Sequence, residues 1–306
     1  MLIADGEVRL PVAGMLALLS GRDDRCDAGD PWRRRMRCAV KGETLFFELS
    51  SWVLALIIFV ALLGATAGGL AIGHSMRAHA HKLSEPFAVL QGALLGLVGL
   101  ILAFGLSLAV GRYEDRRAAV VNEANAIGTT YLRAQTLREP VRSDSMTRLR
   151  RYTDTTIRLS DSVPGSASAR RAAADGLRIQ RELWGFAGRA LSQDPQASAP
   201  RLYAQSLNEM IDLQAVRIAG LQNRVPSAVL VLEVLGAIVA LSLLAAYLAF
   251  MGRGAIGVLL AAGLVALLLL VTFDLDRPTR GLITVPDKPL VELRAEMARP
   301  PAASGP

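Results

Sequence analysis

One acidic residue lies inside an otherwise uncharged apolar block of the sequence. Glu233 comes about 9 Å along a helix from residue 227, where that block begins. A carboxyl group inside a membrane is a candidate for pairing with a cation or for conducting protons. Its closeness to the end of the block equally fits a side chain that reaches the interface or contacts a nearby arginine. The sequence leaves both interpretations open.

A second set of polar residues follows the second apolar block. Asn122, Glu123 and Asn125 share one helical stretch with Arg133. Asn and Glu side chains at helix contacts form hydrogen-bonded networks, and a buried Glu123 would need a cationic partner such as Arg133 or Arg277. Ligand binding and assembly are both open for this set, and we favour assembly.

A turn signal with charged residues follows the fourth apolar block. Pro278 fixes φ and Gly281 allows positive φ, so the chain stops and turns here. Arg277 can pair with Asp274, with Asp276 or with a lipid phosphate. Together with the preceding set, these residues make up one candidate structural or gating cluster: Asn122, Glu123, Asn125, Arg133, Asp276 and Arg277.

The sequence contains no recognisable catalytic or metal-binding motif. It has no phosphate-binding loop, no nucleophile elbow and no zinc-protease motif. The spacing of His74, His79 and His81 matches no metal template, and Cys26 and Cys38 lack the CxxC spacing. We therefore expect no enzymatic activity, no cofactor and no bound metal.

Four apolar blocks account for a positive mean hydropathy of +0.36 in a 306-residue chain that is 20% charged. The blocks are residues 49–73, 87–111, 227–251 and 254–273. Each is long enough to cross a hydrocarbon core of about 30 Å. Helices of soluble proteins seldom stay apolar on every face for so long. The fold class predicted is an all-α membrane protein with four transmembrane helices.

Small residues recur along one stripe in each of the first two blocks. Such stripes let helices approach closely, within one subunit or between subunits. A solvated pore lining is the alternative role for such a stripe, and we favour helix packing for Gly64, Gly68, Gly92, Gly96 and Gly99.

Lysine and arginine are distributed unevenly around the blocks. Four crossings put both chain ends and residues 112–226 on one side, where twelve basic residues flank the membrane against three on the other. This asymmetry predicts that the large segment and both termini face the cytoplasm. The predicted parts are an N-terminal extension 1–44, helices one and two in 45–111, a cytoplasmic domain 112–226, helices three and four in 227–273, and a cytoplasmic C-terminal segment 274–306.

The segment 112–226 is predicted to be helical, because its apolar residues recur every three or four positions between proline and glycine breaks. No breaker lies between Gly111 and Glu139, so the second membrane helix is predicted to continue as one helix of about 50 residues. The third membrane helix is likewise predicted to continue a preceding helix, with Pro226 as a kink or as a residue of the first turn.

Residues 1–44 differ from the rest of the chain. They are rich in Asp and Arg, and Asp5 and Glu7 argue against a signal peptide. We expect a disordered basic tail near anionic lipid. An alternative hypothesis is a start codon assigned too early, with initiation near Met36 or Val40, which mass spectrometry of the N-terminus would decide.

Two motifs around the four blocks carry a family resemblance. After the second block the chain reads RYE at 112–114, VNEANAIGT at 121–129 and YLRA at 131–134; after the fourth it reads LDRP at 275–278 and RGLITV at 280–285. At this spacing the pair resembles the bacterial bestrophin-like domain family over about residues 45–298. The resemblance implies kinship with bestrophins, which are pentameric anion channels with four spans and a large cytoplasmic segment between spans two and three.

Two functions from different classes follow. The first is an oligomeric inner-membrane channel for small anions, in which copies of span two surround a symmetry axis. The cytoplasmic segment has 18 Arg against 12 Asp and Glu. Its net charge of +6 would attract anions. The second is a non-conducting membrane scaffold or sensor whose cytoplasmic helices bind partners.

The expected partners are the lipid bilayer, further copies of the chain and small anions. A net charge of +7 spread over the chain indicates that nucleic acid is not a partner.

Overall fold

The computed structural model describes residues 51–75, 80–163, 166–252, 256–277 and 281–301. Regular structure in these ranges is entirely α-helical. The predicted N-terminal extension 1–44, with Cys26 and Cys38, and also His79, lie outside the described residues. The helices are α1 (Ser51–Ser75), α2 (Ala80–Ala134), α3 (Val141–Asp161), α4 (Ala167–Gln193), α5 (Ser198–Gln222), α6 (Ser227–Phe250), α7 (Ile256–Leu275) and α8 (Lys288–Glu296).

Four of these helices, α1, α2, α6 and α7, are long and apolar enough to cross a membrane. They match the four apolar blocks of the sequence, so the predicted all-α class with four spans is confirmed. In this group α6 packs against α1, α2 and α7, and α1 also packs against α7.

The helix α2 belongs to both halves of the molecule. Its 55 residues extend for about 80 Å, and it ends at Ala134, shortly before the Glu139–Pro140 break. The predicted continuous rod is therefore confirmed. One continuous helix therefore connects the membrane spans to the rest of the protein.

A second hydrophobic core lies outside the spans. The distal bundle, by which we mean residues 112–134 of α2 with α3, α4 and α5, buries Tyr152, Leu183, Tyr203 and Leu207 completely. The short helix α8 packs on α2 and α3 and places Leu290 in the same core. The C-terminal segment is thus part of the bundle.

The connection between α5 and α6 differs from the prediction. We expected one helix through Pro226, but residues 223–226 are not helical, and α6 starts afresh at Ser227. Proline lacks an N–H and disfavours helical geometry in the residue before it, which explains the interruption. The carbonyl groups left unpaired by the break bind a side chain described below.

Helix contacts in the membrane use a different set of glycines from the one predicted. A Cβ atom at Gly69 would overlap the Ser242 carbonyl, and one at Gly73 would overlap the Ala246 carbonyl, so both glycines allow α1 to approach α6. A Cβ atom added at any of the predicted glycines would meet no other part of the described chain within 4 Å; these are Gly64, Gly68, Gly92, Gly96 and Gly99. Packing between subunits stays a prediction for these five.

Candidate functional site

The distal bundle buries an ion pair between α2 and α5. Arg217 Nη1 donates to Glu123 Oε2 at 2.5 Å, and the side chains are 6% and 0% exposed. The second Arg217 nitrogen donates to the Ser160 hydroxyl on α3. Glu123 was predicted to need a cationic partner, and it has one, but the partner is Arg217 rather than Arg133 or Arg277.

Amide and phenol groups extend this pair across all four helices of the bundle. The Tyr152 hydroxyl donates to Glu123 Oε1 at 3.5 Å. Gln180 Nε2 donates to the Tyr152 oxygen at 3.2 Å and to Gln214 Oε1 at 2.5 Å. Burial raises the pKa of Tyr152 well above its ordinary value, and the neighbouring Glu123 charge acts in the same direction. Tyr152 therefore stays neutral and keeps its proton as a donor.

The other members of the predicted cluster do not join this network. Asn122 and Asn125 are exposed on the opposite side of α2. Arg133 donates to the Leu202 carbonyl at 2.8 Å. Glu123 is thus separated from the residues with which the sequence motif groups it.

A buried arginine holds the junction between the bundle and the spans. Arg116 donates from Nε to the Gly220 carbonyl at 3.3 Å, from Nη1 to Leu275 at 3.0 Å and from Nη2 to Asn223 at 2.9 Å. These carbonyls lie at or just beyond the C-terminal ends of α5 and α7, where backbone acceptors lack helical partners and cations are favoured. Arg116 therefore ties α2 to both helix ends.

Sequence reasoning missed the role of Arg116, although a signal for it exists. Arg116 precedes Glu123 by seven residues, which places the two on one face of α2. That face also carries the apolar positions of the bundle core. A charged residue in register with an apolar stripe indicates a buried, paired side chain.

Asp276 completes the junction. Its Oδ1 accepts from the Val225 N–H at 2.9 Å and lies 3.5 Å from Arg116 Nη2. Burial raises the pKa of Asp276, while the Val225 N–H and Arg116 act against that rise. Asp276 thereby joins the end of α7 to the start of α6.

The turn after α7 is fixed by a second carboxylate. Asp274 Oδ2 accepts from the Ile283 N–H at 2.8 Å, and a Cβ atom at Gly281 would come within 2.8 Å of Oδ1. Position 281 requires glycine because the Asp274 carboxylate comes so close to the backbone there. Arg277 lies within electrostatic range of Asp274 and Asp276, the two acids predicted as its partners.

Glu233 faces away from solvent and points at α2. Its exposed fraction is 0%, and neither carboxyl oxygen has a hydrogen-bond partner among the residues that the structure describes. A Cβ atom at Gly105 would collide with Glu233 Oε1, so the carboxyl group fills a notch that only glycine leaves open. The carboxyl group therefore lies in the contact between α6 and α2, and both interpretations offered by the sequence stay predictions.

The opposite face of α2 is uncovered. Gly92, Gly96, Gly99, Ala103 and Ser107 follow one side of the helix, and all are exposed in the single chain. We call this set the open stripe. At 100° per residue Gly105 lies on the far side of α2 from the open stripe.

These features define a class of protein: a four-span helical membrane protein whose second span continues into a helical bundle and is clamped there by a buried arginine. The family model of the bestrophin-like domain matches residues 55–290 of the chain. The chain belongs to the bestrophin-like family.

Solved structures show the same fold. The crystal structure of a bacterial bestrophin homologue from Klebsiella pneumoniae matches with a TM-score of 0.59 and 14% identity, over 78% of this chain and 97% of that one. A point variant of that homologue matches with a TM-score of 0.56 and 15% identity, over 78% and 99% of the two chains. No curated protein matches the chain.

Proposed function

We propose that the protein is a homo-oligomeric channel of the bacterial inner membrane that passes small anions along an axis surrounded by α2. The open stripe carries this proposal. It runs through the apolar half of α2, and a Cβ added at any of its three glycines would meet no other part of the described chain within 4 Å. Several copies with this face toward a common axis would leave a path lined by small side chains, wide enough for an ion.

The charge of the protein favours anions over cations. Residues 112–226 carry a net charge of +6, and the basic residues around the spans concentrate on the same side. A positive vestibule raises the local concentration of anions and their rate of entry. The membership of the chain in the bestrophin-like family supports the same assignment, because bestrophins are anion channels.

Flux measurements test the proposal directly. The full-length protein in anionic liposomes should pass chloride or nitrate, and native mass spectrometry in nanodiscs should show several copies. Ala103→Phe places a bulky ring on the open stripe and should reduce the flux. Ile57→Phe, at an exposed position on α1, is the matched control and should not. A monomer without flux contradicts the proposal, as does equal flux through both variants.

We further propose that the distal bundle and both termini face the cytoplasm, on the basis of the twelve-to-three distribution of basic residues. A reporter fused after Pro306 should be active only in the cytoplasm. A periplasmic signal contradicts this orientation. We propose no enzymatic reaction for the protein.

A scaffold or sensor is the second candidate, and a specific surface favours it. Trp184 on α4, Leu202 on α5 and Val216 on α5 are all exposed on the distal bundle. Large apolar side chains on a surface suit partner docking. Crosslinking in cells that captures a stoichiometric partner through these residues, with no flux in liposomes, would favour the scaffold over the channel.

A further inference from the structure

The geometry around Glu233 points to a proton-operated switch between α2 and α6, in which the protonated carboxyl group occupies the Gly105 notch and the carboxylate leaves it for Arg112. We propose this as a proton-binding site distinct from the conduction path, since Gly105 lies on the far side of α2 from the open stripe. The switch holds whether or not the protein conducts.

The surroundings of Glu233 in the notch determine its charge. An ionised carboxylate removed from water without a partner costs several kcal/mol, even after the surroundings relax. Both oxygens of Glu233 are buried and without a hydrogen-bond partner in the described chain. A neutral carboxylic acid avoids most of this cost. The arrangement seen therefore corresponds to the protonated form.

The two helices fit closely around the carboxyl group. The Glu233 carboxyl group fills the space where any residue larger than glycine at position 105 would have its Cβ. About one turn further along α6, a Cβ at Gly236 would come within 3.3 Å of Val98 Cγ2 on α2. These contacts leave no room for a water shell around a charge. Loss of the proton to solvent therefore favours a different position for the Glu233 side chain, with looser contact between α2 and α6.

The ionised form of Glu233 needs a cationic partner. At the ends of the described spans around Glu233, the titratable and charged groups are His74 on α1, Arg112, Tyr113, Glu114, Asp115, Arg116 and Arg117 on α2, Arg224 before α6, Tyr247 on α6, Asp274 on α7, and Asp276 and Arg277 after it. Glu114, Asp115 and Arg117 are exposed. His74 and Tyr247 lie near the opposite ends of their helices from Glu233, and Arg116 and Asp274 are engaged in the junction described above.

Arg112 is the group best placed to receive the carboxylate. It follows Gly105 by seven residues, on the same face of α2 and about 10 Å along the helix axis. Its Nε is buried and has no hydrogen-bond partner among the described residues. Arg116 lies within electrostatic range of Arg112, so an added negative charge there relieves repulsion between two cations.

Infrared spectroscopy of the full-length protein in lipid tests the proton itself. The wild type should show the C=O band of a protonated carboxylic acid at neutral pH, and this band should disappear as the pH rises. Glu233→Gln, which resembles the neutral acid in shape, should lack the band. Glu209→Gln, at an exposed position on α5, should retain it. A band that persists in Glu233→Gln, or a wild type without one, overturns the proposal.

Distances between spin labels test the switch. Labels at Leu97 on α2 and Val239 on α6, both exposed, should show a distance distribution that shifts with pH in the wild type. Glu233→Gln should hold the low-pH distribution at every pH, and Arg112→Gln should prevent the high-pH one. A label pair at Val60 on α1 and Val239 is the control and should not shift. A constant distance in the wild type, or the same shift in Glu233→Gln, overturns the switch.

Discussion

Arg116 Nη2 lies 3.5 Å from Asp276 Oδ1, with only 3% and 1% of the two side chains exposed. The pair joins three segments that are far apart in sequence: α2, the connection between α5 and α6, and the end of α7. The pair thus ties the distal bundle to the ends of the membrane spans.

Replacement of Arg116 should therefore destabilise the whole protein. Arg116→Met removes the cation but keeps an apolar side chain of similar length, and it leaves the Asp276 carboxylate and several carbonyls buried without a donor. We expect a loss of about 3–5 kcal/mol in the free energy of unfolding, measured by denaturation in detergent. Arg117→Met is the control, because Arg117 is 57% exposed and its ion pair with Glu114 lies on the surface. Equal losses in the two variants contradict this role for Arg116.

The buried pair of Glu123 and Arg217 should show strong coupling. Glu123→Gln and Arg217→Met should each cost about 3–5 kcal/mol, since each leaves a buried charge or donor without its partner. The double variant should be less destabilised than the sum of the single ones. Chemical denaturation of the four proteins gives the coupling energy directly.

A surface pair provides the comparison for that cycle. Arg178 and Glu182 on α4 lie 3.2 Å apart and are partly exposed, so their coupling should stay below about 1 kcal/mol. If the buried pair couples no more strongly than this one, the network in the distal bundle does not contribute specific stability.

The glycines of the spans should separate into two groups. Gly69→Ala drives a methyl group into the α6 backbone and should cost about 1–3 kcal/mol in unfolding free energy, measured on the detergent-solubilised monomer. Gly96→Ala meets open space in the single chain and should be neutral or slightly stabilising for the monomer, because alanine favours helices.

The same two variants should behave differently in assembly. If the open stripe packs against other copies instead of lining a path, Gly96→Ala should weaken the oligomer in lipid, whereas Gly69→Ala should affect the fold of each subunit first. Native mass spectrometry separates these effects. A Gly96→Ala protein with unchanged stability and unchanged copy number contradicts a packing role for the open stripe.

Sequence patterns predicted the elements of this fold better than the contacts between them. Long uncharged blocks and the absence of breakers determine where helices form, so four spans and the long α2 rod were predictable. A stripe of small residues, however, has the same pattern whether it faces the same chain or another copy. For that reason Gly64 and Gly96 could not be distinguished from Gly69 and Gly105.

The partners of the buried charges could not be predicted from the sequence, for a similar reason. Glu123 bonds to a residue 94 positions away, and Arg116 bonds to carbonyls 104, 107 and 159 positions away. Such contacts depend on how helices pack and leave no trace in local spacing. The motif around Asn122 and Glu123 indicated that a charge is buried there, and only the fold identifies Arg217 as its partner.

Two buried tyrosines should make the protein sensitive to alkali. Burial raises the pKa of Tyr203 to about 12, and that of Tyr152 is also well above its ordinary value. In the unfolded chain a tyrosine ionises near pH 10. The folded state therefore keeps protons that the unfolded state loses, so the stability due to Tyr203 is fully present below about pH 10 and falls as the pH rises toward about 12. A shift of this size corresponds to roughly 2–3 kcal/mol.

Tyr203→Phe should flatten the alkaline decline in unfolding free energy relative to the wild type. Tyr113→Phe, at a partly exposed position, is the control and should leave the decline unchanged. Titration of the tyrosinate absorbance on the folded wild type should show Tyr203 ionising only near pH 12 or on unfolding; ionisation near pH 10 without unfolding would mean that its hydroxyl is not buried in the core.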